Sequence, residues 1–198
     1  MTDSDSSMAL KPLSPVLERL RAHVLEHSVK RGEFVLKSGA KSSWFLDTKQ
    51  TACSPEGIIA AADAVMAAFE DVFDSIDAIG GLTMGSDPVA YGVAAVAAAR
   101  GRNLRSFSVR KEAKQRGITG RIAGALRPGD RVLVTEDTTT RGTSLMEAAE
   151  QIEAFGANPV WMTVLVDRGG TCAAMAQERD IDYRPLLTAP DLGFGFGT

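Results

Sequence analysis

Cysteine and histidine are scarce in this sequence, which contains only two of each in 198 residues. Cys53 and Cys172 lie far apart and form no C-x-x-C pair of the kind found in metal and redox sites. No histidine follows His27, which makes a Ser-His-Asp arrangement hard to assemble. His23 and His27 have the i, i+4 spacing of a metal pair, but with no third ligand evident we interpret them as one face of a helix.

A strong excess of charge and long apolar runs are also absent. The formal net charge is −3, which argues against a general nucleic-acid or membrane surface and leaves any cationic site local. Without a long apolar segment or a signal peptide, we expect a cytoplasmic protein with no membrane or nucleic-acid partner. A length of 198 residues, 44% of them hydrophobic, suits one α/β domain with a substantial core.

Segments with helix and strand patterns alternate along the chain. The predicted helices are 16–29, 55–73, 88–100, 145–155 and 171–179, and the predicted strands are 34–36, 44–46, 76–80, 106–109, 132–135 and 160–166. This alternation predicts an α/β fold with a mostly parallel central sheet and helices on both faces, in which ligands bind at the carboxyl ends of the strands. Residues 8–50 are predicted to form a small N-terminal hood and 51–190 the core, with flexible tails at 1–7 and 193–198.

Residues 131–144, with the sequence RVLVTEDTTTRGTS, combine an apolar strand, two carboxylates and a loop of small residues. The β-branched run favours a buried strand, and the small loop lets backbone N–H groups approach a phosphate where a helix begins near Ser144. Glu136 and Asp137 stand where they could accept hydrogen bonds from two ribose hydroxyls. The segment therefore predicts a ribose-phosphate site, the alternative being an ordinary strand-turn-helix with a surface acid pair. Neither a Walker A motif nor a G-x-G-x-x-G motif is present.

Residues 110–124 form the densest cationic segment, with five Lys or Arg residues and three glycines in the sequence RKEAKQRGITGRIAG. Glycines permit backbone rearrangement, and cations neutralise phosphate charge. The composition therefore predicts a mobile cationic loop that clamps a polyanion and releases it. The alternative is a solvated surface helix with i, i+3 charges.

These segments together resemble one enzyme family. Residues 131–144 resemble the phosphoribosyl pyrophosphate (PRPP) signature of type I phosphoribosyltransferases, and the RKEAK run followed by Gly resembles the catalytic loop of orotate phosphoribosyltransferases. FVLKSGAKSSWFLD at 34–47 resembles that family's N-terminal Lys-Ser-Gly motif, and VDRGG at 166–170 its Asp-Arg element. GGLTMGSDP at 80–88 resembles its pyrophosphate loop. The match covers almost the whole chain in the expected order.

The resemblance implies the type I phosphoribosyltransferase fold and a role for each matching residue. The catalytic residues would be Lys111, Lys114 and Arg116. The PRPP-binding residues would be Lys37, Arg110, Lys111, Lys114, Arg116, Glu136, Asp137, Thr138, Thr139, Thr140, Arg141, Gly142, Thr143 and Ser144. The orotate-binding residues would be Trp44, Phe45, Thr140 and Arg168, with the guanidinium on the carboxylate of orotate. Alternatively, Lys37 and Arg168 would be surface cations, and the two aromatic residues would belong to the core.

The reaction implied is transfer of the 5-phosphoribosyl group from PRPP to N1 of orotate, giving orotidine 5′-phosphate and pyrophosphate in pyrimidine (UMP) biosynthesis. The cofactor implied is Mg²⁺, held mainly by PRPP and water rather than by protein ligands. The resemblance also implies a homodimer in which residues 110–124 reach the partner's site. Two other functions stay open, namely transfer to another nucleobase and PRPP sensing without turnover.

Three positions depart from the family's common pattern. Arg116 stands where many members have histidine, which removes a neutral-pH proton shuttle and leaves a permanent charge. Gly85 stands where some members carry lysine in the pyrophosphate loop. Arg141 replaces a small residue in the phosphate loop, so its side chain either points outward or adds a charge to the phosphate.

Overall fold

A computed structural model describes residues 12–35, 41–114 and 120–197, with the backbone alone at Lys114. Its helices are α1 (Pro15–His23), α2 (Lys49–Ala52), α3 (Pro55–Ala68), α4 (Ser86–Ala99), α5 (Thr143–Phe155) and α6 (Cys172–Gln177). Its strands are β1 (Val29–Val35), β2 (Lys41–Leu46), β3 (Ala78–Leu82), β4 (Arg105–Lys114), β5 (Gly120–Gly124), β6 (Arg131–Thr139), β7 (Asn158–Asp167), β8 (Asp182–Tyr183) and β9 (Leu187–Thr188).

The central sheet has seven strands in the order β5-β4-β3-β6-β7-β8, with β9 also paired to β7. All neighbouring strands in it are parallel except β4 and β5, which pair antiparallel. The predicted mostly parallel sheet is therefore confirmed. The carboxyl ends of β3, β6 and β7 lie at one edge, where loops can bring side chains from distant parts of the chain together.

Alternate residues of the central strands face two different helical layers. On β6, Leu133 packs in the same apolar cluster as α3 and α4, whereas Val132 and Val134 pack with α5 and α6. Strand residues alternate in this way because successive side chains point to opposite faces of a sheet. The prediction of helices on both faces is confirmed.

The N-terminal part consists of α1, a π-helical turn at Val24–Ser28, and the antiparallel pair β1–β2. Leu20, Val24 and Trp44 belong to the same buried cluster as α3 and α4, so this part shares the main core. The predicted helix 16–29 is too long, because the α-helix ends at His23 and Val29 opens β1.

The prediction that residues 110–124 form a loop is wrong in the part that the structure describes, and so is the alternative of a surface helix. β4 extends to Lys114 and pairs antiparallel with β5 to form a hairpin. Its pairing with β3 ends at Val109, so the rest of β4 projects beyond the carboxyl edge of the sheet. The hairpin forms because Ile122 pairs with Val109 and packs against the core.

The predicted helix 55–73 also ends early, at Ala68, because the chain turns there and buries Phe69 and Phe73 in the core. The short elements α2, β8 and β9 have no counterpart in the sequence prediction. Among the described residues, no helix combines the length and apolarity needed to cross a bilayer.

Candidate active site

The acid pair lies at the carboxyl end of β6, inside the protein. Glu136 is 8% exposed and Asp137 is 3% exposed. The alternative of a surface acid pair is therefore wrong. Two adjacent buried carboxylates are costly unless other groups compensate their charge, so their partners decide what the pair can bind.

Three donors hold the carboxylate of Asp137. Lys49 Nζ lies 2.7 Å from Asp137 Oδ2, and the hydroxyl of Thr48 donates to the same oxygen at 2.9 Å. The backbone N–H of Thr138 donates to Asp137 Oδ1 at 2.9 Å. Because these donors engage both oxygens, they fix the orientation of the Asp137 side chain.

The second acid of the pair, Glu136, is shifted towards its protonated form. Burial, followed by the negative charge of Asp137, raises the pKa of Glu136 well above its ordinary value. The pair therefore combines one fixed carboxylate with one acid that gains or loses a proton according to its surroundings.

Gly85, just before α4, packs directly on the acid pair. A β-carbon built on Gly85 would collide with Glu136 Oε1 and would lie 2.8 Å from Asp137 Oδ1. A lysine at this position is incompatible with the arrangement, which accounts for the glycine. The start of α4 is fixed by Asp87, which accepts hydrogen bonds from the hydroxyls of Thr83, at 2.6 Å, and Ser108.

The segment between β6 and α5 forms a turn with open N–H groups. Gly142 adopts a φ of +80°, and its N–H donates to the hydroxyl of Thr139 at 2.9 Å. Among the described residues, no side chain caps the N-terminus of α5, and its first turn contains no acidic residue. Thr140, Arg141 and Thr143 are exposed around this turn. Uncapped amides and a helix dipole favour an anion here.

A second turn, after β7, lies against the first. Asp167 Oδ1 accepts the N–H groups of Gly169 and Gly170, both at 2.9 Å, while Asp167 Oδ2 accepts the hydroxyl of Tyr183 at 2.9 Å. The N–H of Arg168 donates to Thr139 O at 2.8 Å, which joins the two turns. The backbone therefore positions Arg168 next to the turn between β6 and α5.

The guanidinium of Arg168 lies over the indole of Trp44, with its carbon 4.5 Å from the ring centroid. Burial lowers the pKa of Arg168, but a guanidinium stays charged at neutral pH. Trp44 is fully buried and stacks on Phe194, with ring centroids 4.0 Å apart and the rings 4° from parallel. Phe45 points to the other face of β2, is 39% exposed, and packs near Phe34.

The cations of the hairpin stand apart from this buried group. Lys111 is exposed and Arg110 is half-exposed on the projecting part of β4. Arg121 on β5 forms an ion pair with Glu147 of α5 and donates to the carbonyl of Arg110, so the base of the hairpin is tied to the core. Lys37 and Arg116 lie outside the described residues, as does the side chain of Lys114.

Comparison with known proteins shows which family the chain belongs to. Over 193 residues, the chain is 31% identical to orotate phosphoribosyltransferase from Rhodopirellula baltica, covering 95% of this chain and 97% of that protein. The chain belongs to the orotate phosphoribosyltransferase family. The family's enzyme from Bradyrhizobium diazoefficiens is 38% identical over 177 residues, covering 87% and 94% of the two chains. No family model matches the sequence.

Solved structures of the family agree with the fold. The Mycobacterium tuberculosis orotate phosphoribosyltransferase in complex with PRPP superposes with a TM-score of 0.77 and 29% identity, covering 91% of this chain and all of that one. The predicted family, its type I phosphoribosyltransferase fold and its class as a pentosyltransferase enzyme are confirmed.

Those sequence-predicted site residues whose side chains the structure describes fall into three groups. Those on the two turns, namely Glu136, Asp137, Thr138, Thr139, Thr140, Arg141, Gly142, Thr143, Ser144 and Arg168, lie close together with Trp44. Phe45 lies on the other side of β2, and Arg110 and Lys111 lie on the hairpin. Lys49, Thr48 and Phe194 were not predicted, because no local motif indicates contacts with residues so distant in sequence.

Proposed function

We propose that this chain transfers the phosphoribosyl group of PRPP to N1 of orotate, giving orotidine 5′-phosphate and pyrophosphate for pyrimidine biosynthesis. The observation that carries the proposal is the juxtaposition of the buried acid pair, the uncapped N-terminus of α5 and the guanidinium of Arg168. These are binding groups for vicinal hydroxyls, for a phosphate and for a carboxylate, respectively.

The sugar phosphate would bind along the first turn. Residues 138–144 supply N–H groups and hydroxyls for the 5′-phosphate, and their open helix N-terminus favours its double negative charge. Glu136 and Asp137 accept hydrogen bonds from the two ribose hydroxyls. If the anomeric carbon of PRPP lies beyond the acid pair, the pyrophosphate points towards Gly85 and the start of α4.

Orotate would bind on the side of Arg168. A planar guanidinium matches the orotate carboxylate in a bidentate pair, and stacking on Trp44 restricts its orientation. Thr140 lies on the same side, since Thr171 of the second turn donates to its carbonyl at 3.2 Å. A role for Phe45 in the base pocket stays a prediction.

Displacement at the anomeric carbon builds positive charge on the ribose ring and negative charge on pyrophosphate. Lys111, Lys114 and Arg116, with Arg110 and Lys37, would stabilise the departing pyrophosphate electrostatically. Closure of the hairpin would exclude water, which otherwise hydrolyses PRPP. The base of the hairpin is anchored by Arg121, so the projecting cations can close without loss of the sheet.

Magnesium is proposed as the cofactor. Within the described residues, no group of three or more His, Cys, Asp and Glu side chains could hold a metal ion, and Asp137 already accepts three hydrogen bonds. These residues fit an ion bound through PRPP oxygens and water better than an ion bound by protein ligands alone. When bound in this way, Mg²⁺ supplies charge neutralisation to the pyrophosphate.

A homodimer is proposed with the hairpin of each subunit in the site of the other. Tyr91, Ala95 and Ala99 are exposed along one side of α4, and α4 carries no charged residue after Asp87, so this face suits a second copy. Mixing the impaired Lys111→Ala and Asp137→Asn subunits should raise activity above that of either variant alone, because one site of the mixed dimer then has both residues intact. Absence of such a rise contradicts the exchange. A cytoplasmic location stays a prediction.

The direct test is the loss of orotate ultraviolet absorbance with purified protein, Mg²⁺ and PRPP, repeated with uracil and hypoxanthine. Consumption of orotate alone is expected, and Arg168→Lys should weaken orotate binding because an ammonium lacks the bidentate fork. Consumption of another base instead would indicate a different nucleobase. PRPP binding without any product would indicate a sensor.

A further inference from the structure

Lys49 connects the N-terminal part of the protein to the acid pair. It opens α2, the short helix between β2 and α3, and lies 88 residues before Asp137 in the chain. Its ammonium and the buried hydroxyl of Thr48 share Asp137 Oδ2, while Thr138 N–H takes Asp137 Oδ1. A carboxylate has about four acceptor positions. These donors fill three of them, and the remaining position is shared with the carboxyl of Glu136, which is also hydrogen-bonded to Asp137.

The charges around Lys49 explain why this contact is needed. Glu136 and Asp137 are adjacent and buried, and two carboxyls in such a place are costly without a cation close by. Partial burial lowers the pKa of Lys49, but the hydrogen bond to Asp137 and the carboxylates of Asp137, Glu136 and Asp47 raise it overall. The ammonium therefore stays charged beside the acid pair.

We propose that Lys49 is a positioning residue for sugar binding, which orients the carboxylate of Asp137 so that the acceptor position it shares with Glu136 meets a ribose hydroxyl of PRPP. Lys49 acts through Asp137 and does not touch the reacting atoms. This inference rests on the proposed function, since it assigns the acid pair to the ribose. The N-terminal part would then contribute to the sugar site through Lys49, as well as to the base pocket through Trp44.

The test compares Lys49→Met with Lys49→Arg, using calorimetric binding of PRPP with Mg²⁺ at neutral pH. Relative to the unmodified protein, Lys49→Met should bind PRPP about tenfold more weakly, the size expected when a charge-assisted hydrogen bond that orients a binding group is lost. Lys49→Arg should bind PRPP within about threefold of the unmodified protein, because a guanidinium can donate to the same carboxylate.

Lys30→Met is the matched control, because Lys30 is exposed on β1, away from the acid pair, and its loss changes the net charge by the same amount. If Lys49→Met does not fold, Lys49→Gln replaces it, since it keeps a polar group without the charge. An equal loss of affinity in Lys49→Met and Lys49→Arg would make Lys49 merely structural, and unchanged or tighter binding in Lys49→Met would make it irrelevant or a competitor of PRPP. Either result overturns the proposal while leaving the proposed function intact. Failure of the unmodified protein to bind PRPP would overturn both.

Discussion

The acid pair on β6 and the cations of the β4–β5 hairpin are two charged regions built in opposite ways. Asp137 is buried and engaged by three donors, whereas Lys111 is exposed on a strand that projects beyond the sheet. A binding group that is already ordered loses little entropy when its ligand arrives. We therefore propose that the fixed region supplies affinity for the sugar and that the projecting one stabilises the departing pyrophosphate.

Of the substitutions considered, Gly85→Ala should disturb the acid pair on β6 the most. The added methyl group collides with Glu136 Oε1, so either the acid pair or the start of α4 must move. A displacement of about 1 Å in a catalytic constellation lowers the rate by roughly a hundredfold, and we expect a fall of that size in kcat/KM for PRPP, with weaker PRPP binding as part of it. Initial rates at varied PRPP measure the fall, calorimetry measures the part due to binding, and thermal unfolding shows whether the fold survives. Retained affinity in a folded variant would mean that the acid pair does not bind the sugar.

Asp137→Asn should weaken PRPP binding by roughly ten- to hundredfold, because hydrogen bonds to a charged group contribute about 1.5–3 kcal/mol. The amide retains the shape of the side chain but loses the charge that meets the ammonium of Lys49. Asp47→Asn is the matched control, since it removes a nearby charge without touching the acid pair. Equal affinities for the Asp137 variant and the unmodified protein would remove the ribose role.

Lys111→Ala tests the projecting hairpin, and it should lower turnover rather than PRPP affinity. Loss of one electrostatic donor to the departing group should lower kcat by about tenfold or more, with little change in thermal stability because the side chain is exposed. Glu112→Ala, the next residue on the same exposed strand, is the control. A fall in PRPP affinity with normal turnover would place Lys111 among the ground-state binding groups.

The contrast between the two regions also decides how far the sequence can predict the site. Glu136, Asp137 and the turn after them form one local segment, so strand propensity and small residues are enough to predict a phosphate site there. The long β-branched strands β6 and β7 are predictable for the same reason. The hairpin is not, because its strand character comes from pairing of Ile122 with Val109 rather than from the charged residues between them.

Contacts between distant segments could not be predicted at all. Lys49 is an ordinary lysine after a strand, and only the packing of α2 against the rest of the fold brings it to Asp137. Residues 193–197 read as a Gly- and Phe-rich flexible tail, yet Phe194 stacks on Trp44 and Gly197 N–H donates to Arg168 O at 2.8 Å. Both contacts depend on the tertiary fold and leave no periodic pattern in the sequence.

Phe194→Ala should have the smallest effect and should separate the base pocket from the sugar site. Stacked aromatic pairs contribute about 0.5–1.5 kcal/mol, so loss of the support beneath Trp44 should raise the KM for orotate by roughly two- to tenfold. PRPP affinity should stay unchanged, because the acid pair and the start of α5 make no contact with this ring in the described contacts. Phe155→Ala, which removes a partly exposed ring at the carboxyl end of α5, is the control. An equal change in the KM for orotate and in the affinity for PRPP would show that Phe194 stabilises the whole carboxyl edge of the sheet. Its role would then not be limited to the position of Trp44 and Arg168.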